Sequence, residues 1–142
     1  MHVSDIMSRD VKLVAPDDSL EKAAKLMAKL DIGVVPVGED DRLVGMITDR
    51  DITVRAVAAG KKPKECKVRD FMTADIKYVF EDESIDDVSR NMSKLQVRRL
   101  PVLNRDKRLV GIVSLGDLAI KEDSAQAEHA LKDISQPVHT HH

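Results

Sequence analysis

The stretch Leu43-Val44-Gly45-Met46-Ile47-Thr48-Asp49-Arg50-Asp51 returns 66 residues later as Leu109-Val110-Gly111-Ile112-Val113-Ser114-Leu115-Gly116-Asp117. Both copies keep Leu-Val-Gly, two aliphatic residues, a hydroxyl, and an aspartate three positions after the hydroxyl. Working outward, an offset of 65 carries Ile6-Met7 onto Phe71-Met72, Val14 onto Val79, Ser19 onto Ser84, Leu20 onto Ile85, Met27 onto Met92 and Pro36 onto Pro101. One residue is inserted in the second copy before Arg108. Self-similarity this dense marks a duplicated unit. The boundaries that follow are a first unit at 1–60, a linker at 61–67, a second unit at 68–123, and a C-terminal helix with a His-containing tail at 124–142.

Each copy reads as β-α-β-β-α. A short β segment at Val11 to Val14, or Ile76 to Phe80, precedes a helix start capped by Asp18 or Ser19 in one copy and by Ser84 with Asp87 in the other. Apolar residues then recur at helical spacing, as Leu20, Ala23, Met27 and Leu30, and as Ile85, Val88, Met92 and Leu95. Two apolar runs separated by a polar turn form a hairpin, Val34 to Ile47 or Leu100 to Val113. Its internal Pro36 or Pro101 is expected at an edge or a strand start, because proline cannot donate to a ladder. A second helix opens at Asp49 to Asp51 and runs through Ile52, Val54, Val57 and Ala58, with its counterpart opening at Leu115 to Asp117. The fold class is α/β of the α+β type. Each small sheet would leave one face bare, so two such units are expected to pack sheet to sheet about a pseudo-two-fold axis, with clefts at their junction.

Composition narrows the function. The 142 residues carry a formal net charge of −2, 42% hydrophobic and 2% aromatic residues, and one cysteine. Without a positive excess or stacking aromatics, nucleic-acid binding is not expected. No uninterrupted apolar run of about eighteen residues occurs, so no membrane span is expected. Neither a signal-peptide pattern nor a disulfide framework is present, and a cytoplasmic location is expected.

The hydroxyl and aspartate at the end of each hairpin, Thr48 with Asp51 and Ser114 with Asp117, admit two readings. One is a capping box that does nothing but start a helix. The other uses the same atoms for a ligand: free N–H groups attract an anion, the hydroxyl donates to a phosphate oxygen, and the carboxylate accepts from both hydroxyls of a ribose. Both readings stand at this point.

The sequence resembles the tandem cystathionine-β-synthase (CBS) domain pair, or Bateman module, from Ser4 to about Lys121. The resemblance rests on Asp5-Ile6-Met7 and Asp70-Phe71-Met72, on Val34-Val35-Pro36-Val37 and Arg99-Leu100-Pro101-Val102, and on the two Gly-to-Asp motifs. It implies adenosine-containing ligands, AMP first with ADP or ATP beside it, in clefts between the units, and it implies no catalysis. By the same resemblance, Asp51 and Asp117 are ribose acceptors with Thr48 and Ser114 beside them, and Asp49, Arg50, Leu115 and Gly116 complete those corners. Lys12 and Lys77 resemble the adenine-contacting edge. Gly33 and Val34, or Arg98 and Arg99, stand where relatives grip phosphate. The two guanidiniums suit bidentate bonding to phosphate, or else bond a surface carboxylate, so the two sites are expected to be unequal.

Other signals are weak. His139, His141 and His142 crowd the last four residues and admit a metal-binding tail, but no Cys or second His stands at ligand spacing inside the folded part, so a disordered tail and no metal site are expected. Cys66 has no nucleophile-activating neighbour in sequence. No Walker loop or His-Glu-x-x-His motif occurs, so no enzyme is expected. The expectation is a stand-alone regulatory homodimer that binds an adenosine compound and acts on an unknown partner. The alternatives are an assembly module with vestigial clefts, or a binder of S-adenosylmethionine or NAD.

Overall fold

The computed structural model describes residues 1–121. The helix and tail expected at 124–142, with their four histidines, lie outside the described residues. The described residues gather into two compact units, one continuous from Lys12 to Ile76, the other built from Met1–Val11 and residues 77–121. The first eleven residues therefore belong with the second repeat's sheet. Likewise Phe71 to Ile76 belong with the first's.

In the continuous unit, helix α1 (Leu20–Leu30) starts where the Ser19 hydroxyl accepts from the Lys22 N–H at 3.1 Å, and it ends at Asp31 in the left-handed region (φ 55°). Its apolar stripe buries Leu20, Ala23 and Met27 in a core with Val14, Val35, Val37, Ile47, Ile52, Ala56, Val68 and Phe71. Strands β1 (Val34–Glu39) and β2 (Arg42–Thr48) form an antiparallel hairpin, closed by Asp40 and Asp41 at φ 54° and 65°. Two positive φ values are what a two-residue hairpin turn demands.

The second repeat builds the same arrangement. Strand β3 (Val79–Phe80) runs parallel to β4 (Arg99–Leu103), which pairs antiparallel with β5 (Leu109–Ser114). Helix α2 (Ile85–Leu95) is capped by Ser84, and α3 (Leu115–Lys121) follows β5. The core here is Val3, Ile6, Met7, Val79, Ile85, Val88, Met92, Leu100, Val102, Val113, Leu115 and Leu118. In the continuous unit, the counterpart of β3 shrinks to one parallel pair, Val14 with Val37.

Three expectations are corrected. Pro101 sits inside β4, the central strand of its sheet, whereas Pro36 lies in β1, an edge of its two-stranded sheet as expected. The parallel ladder on that side begins with the Pro36 carbonyl, which accepts from Val14, and continues with the Gly38 N–H, so no ladder bond falls on the proline nitrogen. The segment after β2 is not an α-helix throughout: Asp51–Val57 is π-helical, and Ala58 and Lys61 donate five residues back, to Thr53 and Ala56. Four β-branched residues in seven crowd a standard helical turn. Only Ile52 and Ala56 are buried there, whereas Val54 and Val57 are exposed, as is Leu95 at the end of α2. Among the described residues, no helix is long and apolar enough to cross a membrane.

The exchange of leading segments rests on two glycines. The N–H and carbonyl of Met46 each bond to Thr73 at 2.9 Å, and those of Ile112 bond to Ser8 at 2.9 and 2.8 Å. A Cβ on Gly45 would stand 2.6 Å from Met72 Sδ and 3.0 Å from the Thr73 carbonyl; on Gly111 it would stand 2.5 Å from Met7 Sδ and 2.9 Å from the Ser8 carbonyl. Only glycine lets the segment lie this close. Gly45→Ala and Gly111→Ala are each expected to cost about 1–3 kcal/mol, read as a lower urea midpoint at unchanged slope.

A surface pair tightens the second repeat's strand start. Arg105 grips Asp82 through two nitrogens at 2.7 and 2.9 Å, with its guanidinium 4.2 Å from the centre of the Phe80 ring. The hydrogen bonds from Arg105 hold the Asp82 carboxyl below the usual carboxylate range. A lowered folded-state pKa contributes stability above the unfolded value and loses it as pH falls. Arg105→Ala is thus expected to be less stable than the parent at neutral pH, and the two melting curves should converge on acidification through the carboxylate range.

Candidate functional site

Thr48 closes β2 opposite Val34, and Ser114 closes β5 opposite Arg99. Each strand end meets the first turn of a helix through two reciprocal hydrogen bonds. Thr48 N–H donates to Asp51 Oδ2 and Asp51 N–H donates to Thr48 Oγ1, both at 3.0 Å. Ser114 N–H donates to Asp117 Oδ2 at 2.9 Å, and Asp117 N–H donates to Ser114 Oγ at 3.1 Å. The capping box is therefore built in both copies. It uses one oxygen of each carboxylate. Asp51 Oδ1 lies 3.9 Å from Arg55 Nη1, and Asp117 Oδ1 has no hydrogen-bond partner among the described residues.

Around these corners the copies diverge. Asp49 N–H donates to the Gly33 carbonyl at 2.9 Å, and Leu115 N–H donates to that of Arg98 at 3.0 Å, so the backbones match. The side chains do not. Asp49 is exposed, its Oδ1 accepts from the Arg50 N–H at 2.8 Å, and its carboxylate lies over Gly33, where a Cβ would meet Oδ2 at 3.0 Å. Leu115 is buried in the core, which leaves only its backbone for a ligand. Arg98 and Arg99 are exposed, and their guanidiniums have no hydrogen-bond or ion-pair partner among the described residues.

The expectation of free N–H groups needs revision for one copy. From Thr48 to Asp51 all four N–H groups have acceptors within the chain. At the matching corner, the Gly116 N–H has none among the described residues.

The expected residues thus fall into two sets, each inside one compact unit. Gly33, Val34, Thr48, Asp49, Arg50 and Asp51 lie in the continuous unit; Arg98, Arg99, Ser114, Leu115, Gly116 and Asp117 lie in the other. Lys12 and Lys77 are exposed two residues ahead of Val14 and Val79, across β1 from β2 and across β4 from β5. Among the described residues, no group of three or more His, Cys, Asp or Glu is placed to hold a metal.

Sequence reasoning missed one link. Besides approaching Asp51, Arg55 Nη1 donates to the Phe71 carbonyl at 2.5 Å, and its guanidinium stands 5.7 Å from the centre of the Phe71 ring. The two residues are sixteen apart and belong to different repeats, so no local spacing signals the contact.

The CBS domain family model matches this chain twice, at residues 3–57 and 68–122. The chain belongs to the CBS domain family. Hypoxic response protein 1 of Mycobacterium tuberculosis is 42% identical over 116 residues, covering 81% of this chain and 80% of that protein. A crystal structure of hypoxic response protein I with two coordinated zinc ions overlays with a TM-score of 0.74 at 39% identity, over 85% of this chain and 98% of that one. The CBS domain pair of MJ0100, in complex with 5'-methylthioadenosine and S-adenosyl-L-methionine, overlays with a TM-score of 0.66 at 34% identity, over 84% and 94% of the two chains. CBSX2 in complex with AMP does so with a TM-score of 0.70 at 26% identity, over 84% and 93%. Inosine-5'-monophosphate dehydrogenase of Methanocaldococcus jannaschii is 35% identical over 87% of this chain, which is only 24% of that enzyme's length. The similarity to that enzyme covers a CBS-sized part of it.

Since each cap ties a strand end to the first turn of the following helix, removing the hydroxyl should be felt in folding. Thr48→Ala and Ser114→Ala are each expected to lower stability by about 1 kcal/mol, with Thr48→Ser near neutral, as measured by urea unfolding.

Proposed function

We propose that this chain is a regulatory CBS-pair protein that binds adenosine-containing ligands through its two hydroxyl-aspartate corners and passes a ligand-dependent change to a separate protein, without catalysing a reaction. AMP is the leading ligand, with ADP and ATP next, and the working form is a cytoplasmic homodimer. In this reading Asp51 and Asp117 accept from the ribose hydroxyls, Thr48 and Ser114 stand beside the sugar, and Lys12 and Lys77 flank the base. The 5' end of the ligand lies toward Gly33 and Val34 in one corner and toward Arg98 and Arg99 in the other.

One observation carries the reading. Each capping box engages Oδ2 and leaves Oδ1 outside the cap, so one aspartate both starts its helix and keeps an acceptor for a ligand. The relatives in complex with AMP, or with 5'-methylthioadenosine and S-adenosyl-L-methionine, support adenosine as the common moiety. A completed cap also suits an interaction module that binds no nucleotide.

Melting separates the two. A ligand that binds only the folded state adds RT ln(1 + [L]/Kd), about 2.7 kcal/mol at a hundredfold excess over Kd. A rise in Tm is expected with AMP, and ADP, ATP, S-adenosylmethionine and NAD rank the ligands. Asp51→Asn and Asp117→Asn keep a cap acceptor while removing the charge, so the protein carrying both is expected to lose the shifts without unfolding. No shift with any adenosine compound supports the interaction module instead.

A further inference from the structure

Resting on that adenosine reading, the two corners differ in a way that selects ligand charge. In the continuous unit the space beside Gly33 is filled by the Asp49 carboxylate, which lies so close that a Cβ at Gly33 would crowd Oδ2 at 3.0 Å. In the other unit the position equivalent to Gly33 is Arg98, and the position equivalent to Asp49 is the buried Leu115. The main chain is the same in both, with an N–H to carbonyl bond of 2.9 or 3.0 Å joining the two positions. A carboxylate thus stands beside the backbone atom from which the other copy extends a guanidinium side chain.

The nearby donors follow the same division. Asp49 Oδ1 accepts from the Arg50 N–H, which places a resident anion of the protein's own on that turn. At the second corner the corresponding Gly116 N–H has no acceptor among the described residues, and the Arg98 and Arg99 guanidiniums stand exposed without partners there. Arg50 is also exposed in the first corner, but Asp49 and Asp51 flank it in sequence. Like charges brought together in a binding site cost affinity, and bidentate guanidinium contacts favour phosphate.

We propose that the two corners take adenosine compounds of different charge class. The Arg98/Arg99/Asp117 corner takes a 5'-phosphorylated nucleoside. The Gly33/Asp49/Asp51 corner takes a 5'-uncharged or cationic one, and Asp49 is the residue that excludes phosphate.

Isothermal titration of the full chain tests this, with AMP and 5'-methylthioadenosine as probes. One AMP per chain is expected, abolished by Asp117→Asn and weakened at least about tenfold by Arg98→Ala with Arg99→Ala, but unchanged by Asp51→Asn. With AMP already saturating, 5'-methylthioadenosine should still bind once per chain and be lost in Asp51→Asn. Asp49→Asn keeps an oxygen to accept the Arg50 N–H, so it should fold as the parent does, and it is expected to admit a second AMP. Two equivalent AMP sites in the parent, an AMP site lost in Asp51→Asn or Arg50→Ala, or an unchanged AMP stoichiometry in Asp49→Asn would each overturn the assignment while leaving adenosine binding intact. If neither probe binds, the adenosine reading itself fails, and this inference with it.

Discussion

Two hydrogen bonds exchanged between the last residue of a strand and the first turn of the following helix govern what each copy can do. Thr48 and Asp51 satisfy each other's N–H groups, as do Ser114 and Asp117, which removes two orphan donors where a helix would otherwise begin unsatisfied. The exchange also orients the carboxylate. With Oδ2 held in the cap, the second oxygen is fixed in direction, and an oriented acceptor binds a diol at less entropic cost than a free one. Structural and functional readings of this motif therefore do not compete, because they use different oxygens of one side chain.

The caps are held in place by sheets that neither repeat completes alone. The absence of a side chain at Gly45 and Gly111 lets Thr73 and Ser8 bond directly to the strands that end in Thr48 and Ser114. A segment that begins one repeat in sequence thus supports the strand that leads into the other repeat's hydroxyl-aspartate cap. In the continuous unit Arg55 adds a polar link by bonding the Phe71 carbonyl while standing near Asp51. A change at the Asp51 carboxylate consequently acts on a guanidinium that also touches the segment leading into the second repeat.

Duplication kept the apolar framework and let the polar corners drift. Leu20 and Ile85, Val35 and Leu100, Val37 and Val102, and Ile47 and Val113 are all buried at matching positions. Substitutions among aliphatic residues cost little when volume is maintained. Beside the caps the pairing differs: Gly33 with the exposed Asp49 in one copy corresponds to the exposed Arg98 with the buried Leu115 in the other. The core therefore shows the common origin, and the corners show the divergence in chemistry.

The sequence by itself determined the repeat, the helices capped by Ser19 and Ser84, both hairpins and the identity of the residues at each corner, because these depend on periodicity and on contacts within a few residues. Only the tertiary structure decided the rest. Pro101 occupies a central strand because its nitrogen falls outside the short parallel ladder, and Asp51 to Val57 adopts a wider turn where Ile52 and Ala56 alone reach the core. The leading segments join the opposite repeat's sheet, and the Asp49 carboxylate settles over Gly33. Each of these is a question of which surfaces meet across many residues of chain, and a linear pattern holds no record of distances between positions far apart.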